Sequence, residues 1–142
     1  MEQIIIYSDG GARGNPGPAG VGVAIEIRNP KSEIRKSKKI SKYIGEATNN
    51  QAEYKAVIEA LSWVTENYRE KEIEIKCFLD SELIVEQLNQ RYKIKNEGLK
   101  PLFWQVRELV LKLGGKISFE YIPREKNKEA DRLANLAMDR GK

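Results

Sequence analysis

Gln3-Ile4-Ile5-Ile6-Tyr7-Ser8-Asp9-Gly10-Gly11 opens the chain with a β-branched apolar run that closes on one acid and two glycines. So continuous an apolar strand is covered on both faces, which makes it central in its sheet. Residues 10–20 then hold five glycines and two prolines, a density read as a tight, ordered turn. Two more strands, about 21–28 and 33–44, are separated by Asn29-Pro30 and complete an antiparallel meander.

Beyond the meander the period changes. Ala56, Val57, Ala60, Leu61, Val64 and Tyr68 recur at helical steps, and Thr48 with Gln51 forms a capping-box pattern, predicting a helix over 49–68. Residues 71–79 alternate as Ile73, Ile75, Cys77 and Leu79 and stop at Asp80, where a second helical pattern runs from Ser81 to Asn89. A third helix is predicted over 99–113, ended by Gly114-Gly115, and a strand over 116–122 is broken by Pro123. Leu133, Ala134, Leu136 and Ala137 mark a last helix over 128–139. The order β-β-β-α-β-α-α-β-α implies one α/β domain over 1–142 with a mixed sheet.

Composition bounds the chemistry. At 142 residues, with 40% apolar and 32% charged residues, the chain has the make-up of one soluble globular domain. Ile4-Ile5-Ile6-Tyr7 is too short for a membrane span or a signal-peptide core, which implies a cytoplasmic location. The single cysteine, Cys77, excludes an internal disulfide and sits where a buried strand residue is expected. The absence of histidine excludes Ser-His-Asp and Cys-His catalysis, His-ligated zinc and an imidazole proton shuttle. What remains are carboxylates, Lys, Arg, Tyr or a hard metal ion. A net charge of +4 favours polyanions without requiring them.

Four acids stand in places where a solvated charge is not expected. Glu53 lies one turn ahead of Ala56 and Val57 on the same helical stripe, so its carboxylate falls on the core-facing side. Asp9 and Asp80 each close an apolar strand, the end at which ligands gather in open α/β sheets. Asp131 adjoins Ala130 and Ala134 beside the buried face of the last helix. Were the four to converge, repulsion would call for a hard divalent cation, and magnesium suits an oxygen-only set. Thr48-Asn49-Asn50-Gln51 offers more polar groups at one helix start than capping needs, which points to bound anions or sugar hydroxyls. Asn15 either stabilises the glycine-rich turn or meets substrate. Lys31, Arg35, Lys36, Lys38, Lys39 and Lys42 read as a lysine-guarded edge strand. Arg91, Lys93, Lys95 and Lys100, interleaved with Tyr92 and Trp104, read as a surface for a nucleic-acid backbone.

Taken together, Tyr7-Ser8-Asp9-Gly10-Gly11 through Pro18, Thr48 through Glu53, Asp80-Ser81, and Arg124 through Ala134 resemble the type 1 ribonuclease H family over essentially the whole chain. The resemblance implies the ribonuclease H-like α/β fold, a five-stranded mixed sheet of the antiparallel meander plus two parallel strands, flanked by helices. The resemblance also implies endonucleolytic cleavage of the RNA strand of RNA–DNA hybrids, giving 5′-phosphate and 3′-hydroxyl ends. It implies two Mg²⁺ ions, replaceable by Mn²⁺, on Asp9, Glu53, Asp80 and Asp131, with Asp9 bridging. It places Asn15, Asn49, Gln51 and the Gly10-Gly11 backbone on the RNA strand, Thr48 on a DNA phosphate, and Ser81 among the substrate-binding residues. It further implies a monomer with no obligatory protein partner and no membrane association. The chain departs from many bacterial members in a short loop, Pro123-Arg124-Glu125-Lys126, where Arg124 stands in place of a histidine. Arginine holds phosphate but does not shuttle protons at working pH. Residues 89–99 are too few for the extra helix and basic handle of some members. Two rival readings are a non-catalytic hybrid-binding domain, which would not need four acids against a polyanion, and another nuclease of the superfamily. A 3′–5′ exonuclease would be expected to carry D-x-E on the first strand, where Asp9 is followed by Gly10-Gly11.

Overall fold

A computed structural model describes residues 2–68 and 72–141. β1 (Glu2–Ala12), β2 (Gly17–Arg28) and β3 (Ile34–Ala47) form the antiparallel meander. β4 (Ile73–Leu79) and β5 (Ile117–Tyr121) extend the sheet in parallel beyond β1. The strand order β3-β2-β1-β4-β5 puts β1 at the centre, as its unbroken apolar run requires. The helices of the described residues are α1 (Asn49–Asn67), α2 (Glu82–Leu88), α3 (Lys100–Lys112) and α4 (Lys128–Arg140), with a 3₁₀ turn at Arg124–Lys126.

The meander strands run further than their sequence pattern suggests. β1 continues through Gly10-Gly11, which pair with Val21 and Gly20, so only residues 13–16 are left for the turn. β3 passes its expected end and reaches Ala47 by way of a bulge near Gly45, whose φ is 77°. The predicted start of β4 at residue 71 lies outside the described residues; the strand is seen from Ile73.

These glycines are there for approach more than for bending. A Cβ on Gly10 would stand 2.2 Å from the Ala52 carbonyl oxygen of α1. On β2, a Cβ on Gly22 would stand 2.1 Å from the Ala130 carbonyl oxygen and 2.5 Å from the Ala134 nitrogen of α4. Each helix therefore rests backbone to backbone on the sheet near Asp9, from opposite faces.

α1 is capped as its sequence predicts: Gln51 N–H donates to Thr48 Oγ1 at 3.1 Å and Thr48 N–H to Gln51 Oε1 at 2.9 Å. Its Tyr54, Val57, Leu61 and Val64 are buried with Ile4, Ile6, Val21, Val23 and Ile25 of the sheet. Each such side chain contributes about 1.5–3 kcal/mol by leaving water. Tyr54 keeps its hydroxyl paired by donating to Gln87 Oε1 of α2 at 2.8 Å. On the other face, Ala130, Ala134 and Ala137 of α4 are buried, small enough to let the helix sit on Gly20 and Gly22. β3 is an edge strand, and its exposed Arg35, Lys36, Lys38 and Lys39 fit the guarded-edge reading. Cys77 is buried.

Candidate active site

β1 and β4 are parallel with Ser8 opposite Leu79, so the next residues, Asp9 and Asp80, emerge side by side at the same end. The contact at Gly10 lowers the first turns of α1 onto that end and delivers Glu53. One carboxylate oxygen from each of Asp9, Glu53 and Asp80 lies within 4.8 Å of the others. Asp131, in the first turn of α4, stands outside this trio but lines the same cavity, close enough for its charge to act on Asp9. The four acids singled out in the sequence therefore meet.

Their electrostatics are unfavourable without a counter-ion. Asp9 and Glu53 are each only 7% exposed. Burial, reinforced by the charges of Asp80 and Asp131, pushes Asp9 from 3.8 up to about 7, although its hydrogen bond with Glu53 works the other way. Glu53 is held well above the ordinary carboxylate range, by burial first and then by Asp9 and Asp80. The Gly10 N–H at 3.5 Å from Oε1 is weak compensation, and Glu53 Oε2 is buried with no partner among the described residues. Crowded, oxygen-only donors with one orphaned carboxylate oxygen fit a hard divalent cation.

The acids form the floor of an open cavity of about 520 Å³. Gly10, Gly11, Asn49, Ser81 and Arg124 line it too. The Arg124 side chain has no ion pair or hydrogen bond among the described residues, so its guanidinium is free at the rim. Ser81 caps α2, accepting from the Ile84 N–H at 3.3 Å, which leaves its hydroxyl proton available. Asn15, Thr48 and Gln51 are not in the lining but continue the surface along the start of α1. There, Asn15 Oδ1 accepts from the Asn49 N–H at 3.0 Å and Asn49 Oδ1 from the Ala12 N–H at 2.8 Å. With Gln51 Oε1 committed to the cap, all three amides have their oxygens turned inward. Their NH₂ groups have no partner among the described residues and can only donate, which suits the oxygens of a sugar or phosphate.

The sequence reading passed over Arg13, Asn135 and Met138, which also border the cavity. Arg13 pairs with Asp139 at 2.5 Å and so joins the glycine-rich turn to α4. Its position inside the motif was visible, but nothing local indicated a partner more than a hundred residues away.

A family model described as reverse transcriptase-like matches residues 7–137. The structure of LC11-RNase H1, isolated from compost by a metagenomic approach, is 44% identical, with a TM-score of 0.85 over 99% of this chain and 98% of that one. The chain belongs to the type 1 ribonuclease H family. A ribonuclease H from Ruthia magnifica is 34% identical over 99% of this chain and 98% of its own length. The bifunctional protein Rv2228c of Mycobacterium tuberculosis is 39% identical over 96% of this chain, which spans only 36% of that relative's length. LC11-RNase H1 has also been solved in complex with an RNA/DNA hybrid, at 43% identity, 96% and 97% coverage and a TM-score of 0.84. Within this ribonuclease H fold the segment before α4 is a single 3₁₀ turn over Arg124–Lys126, as short as its sequence suggested. Among the described residues no helix is long and apolar enough to cross a membrane.

Proposed function

We propose that this chain cleaves the RNA strand of RNA–DNA hybrids internally, and that Asp9, Glu53, Asp80 and Asp131 would hold the two Mg²⁺ ions the reaction uses. The observation that carries the proposal is the trio of Asp9, Glu53 and Asp80 carboxylates, the first two buried and one Glu53 oxygen without a partner among the described residues, on the floor of a cavity with outward amide donors at and beside its edge. When bound, such cations supply Lewis acidity toward the scissile phosphate and the attacking water. The chain's own groups do the rest. Asn15, Asn49 and Gln51 present NH₂ donors to the 2′-hydroxyls that distinguish RNA from DNA. The backbone of Gly10-Gly11 lines the cavity beside the acids, where the RNA strand would lie. Thr48 and Ser81 add hydroxyls toward phosphate oxygens, and Arg124 attracts the scissile phosphate or eases departure of the 5′-phosphate product without moving a proton.

A second surface fits the DNA strand. Arg91, Tyr92, Lys93, Lys100, Phe103 and Trp104 line a groove of about 670 Å³, with Tyr92 and Trp104 54% and 65% exposed. Aromatic faces beside cations serve a nucleic-acid backbone in the absence of a longer basic handle. The test is cleavage of end-labelled RNA–DNA, RNA–RNA and DNA–DNA duplexes with Mg²⁺, Mn²⁺ or chelator. Internal cuts in the RNA of the hybrid alone, abolished by chelator, are the expected result. Equal cutting of all three duplexes, stepwise trimming from an end, or cleavage in chelator would refute it.

A further inference from the structure

Asn127 occupies the N-cap position of α4, yet its side chain makes no capping hydrogen bond. Asparagine is favoured there because its oxygen can accept from an exposed N–H of the first turn. Here the amide is turned away from its own helix. Its Nδ2 donates to the Ser8 carbonyl at 2.9 Å and to Asp80 Oδ2 at 3.0 Å, while Oδ1 is buried without a partner among the described residues. Ser8 O and a carboxylate are both acceptors, so the NH₂ must face them and the orientation of the amide is fixed by its neighbours. The residue is 1% exposed and gives up both its cap and its oxygen's partner to keep these two contacts. A local rule broken at a buried position beside a site marks a functional constraint.

The contacts join the elements that carry the acids. Ser8 precedes Asp9 on β1, Asp80 ends β4, and the Asn127 carbonyl accepts from the N–H of Asp131 at 3.1 Å. We propose that Asn127 is a positioning residue: its amide holds one oxygen of Asp80 and so fixes that carboxylate beside Asp9 and Glu53, and the cation site is formed before a cation arrives. This rests on the cation-binding reading of the four acids. An uncharged amide suits the task because it orients a carboxylate without neutralising it or competing for the cation. Outer groups of this kind are worth roughly tenfold to a hundredfold in metal affinity.

The experiment titrates Mg²⁺ and Mn²⁺ into the parent, Asn127→Ala and Asn127→Ser by calorimetry. Melting in chelator is followed alongside, with the cation dependence of cleavage as a separate readout. Serine is a good N-cap but too short to reach Asp80. Asn127→Ser should therefore melt in chelator at or above the parent's temperature yet bind cation roughly tenfold to a hundredfold more weakly. Its cleavage should need correspondingly more Mg²⁺ and recover most of the parent's kcat at saturation. A cation Kd within twofold of the parent's in either variant would overturn the assignment. In the parent itself, the Asn127 side-chain NH₂ resonances should shift during a Mg²⁺ titration with the calorimetric midpoint; silent resonances would overturn it even if neither variant folds. A parent that binds neither cation would instead refute the underlying reading of the acids.

Discussion

Replacing Asp9 by Asn removes a charge that the cation-free fold holds at a disadvantage. The carboxyl is displaced from 3.8 to about 7, chiefly by burial and then by Asp80 and Asp131. At about 1.4 kcal/mol per pH unit, ionised Asp9 costs the folded state up to roughly 4 kcal/mol relative to the unfolded chain. Asparagine keeps the shape without the charge, so Asp9→Asn should stabilise the chelated protein by about 2–4 kcal/mol at pH 8. At roughly 3 °C per kcal/mol this is a rise of about 6–12 °C in Tm. Between about pH 4 and pH 7 the folded parent keeps a proton on Asp9 that the unfolded chain has released. Parent stability therefore falls as pH climbs through that window, and Glu53, also held up by burial, adds to the fall. The advantage of the variant should be absent near pH 4 and full near pH 8. Added Mg²⁺ should raise the parent's Tm and leave the variant's nearly unchanged, while hybrid cleavage falls at least roughly a thousandfold. Calorimetric melting in chelator and in Mg²⁺ across pH 4–8 measures all of this. A variant that melts below the parent in chelator at pH 8 would show that Asp9 is a structural hydrogen-bonding group, and the repulsion argument would fail.

Arg124→Ala should lower cleavage roughly tenfold to a hundredfold without adding or removing a titration step between pH 6 and 9, because guanidinium stays charged throughout; a loss as complete as that of Asp9→Asn in a pH–rate profile would contradict this. Asn49→Ala should weaken hybrid cleavage and also cost about 1 kcal/mol in urea melts, since it unpairs the Ala12 N–H. Gln51→Ala removes half of the capping box and should cost a similar amount, with cleavage reduced by loss of its NH₂ donor. Gly22→Ala places a Cβ 2.1 Å from the Ala130 carbonyl oxygen. It should cost about 1–3 kcal/mol or more in denaturant titrations and weaken cation binding by displacing Asp131; unchanged stability would mean that α4 does not rest on that glycine.

The order of the elements and the central place of β1 were legible because each rests on a local pattern: a continuous apolar run, a 3.6-residue stripe, an alternation ending at Asp80. The four acids were legible for the same reason. Glu53 is out of phase with a solvated helix face, and Asp9 and Asp80 sit at strand ends that a parallel pairing must bring together. Residues 10–20 were misjudged as a turn because glycine carries two meanings in sequence, freedom of φ and absence of a side chain. Gly14, at φ 96°, has the first, and Gly10 has the second. Nothing within a few residues of either separates them, since what Gly10 meets is the Ala52 carbonyl of another element.

The same distinction explains why a set of mutually repelling acids can persist here. Burying them is unfavourable in the cation-free protein, so their proximity has to be imposed by contacts that do not depend on them. α1 is held to the sheet by Tyr54, Val57, Leu61 and Val64, and its height above β1 is set at Gly10. α4 is held by an alanine face whose height is set at Gly20 and Gly22. Asp9 lies between the two helices, beside Gly10 on β1 and opposite Gly22 on β2. Enlarging either glycine would therefore act on the acids through helix position, with no change to any carboxylate. Core burial of several side chains at about 1.5–3 kcal/mol each exceeds the few kcal/mol of repulsion. The apolar stripe of α1 thus determines where Glu53 sits, and the site is a consequence of packing that a divalent cation then relieves.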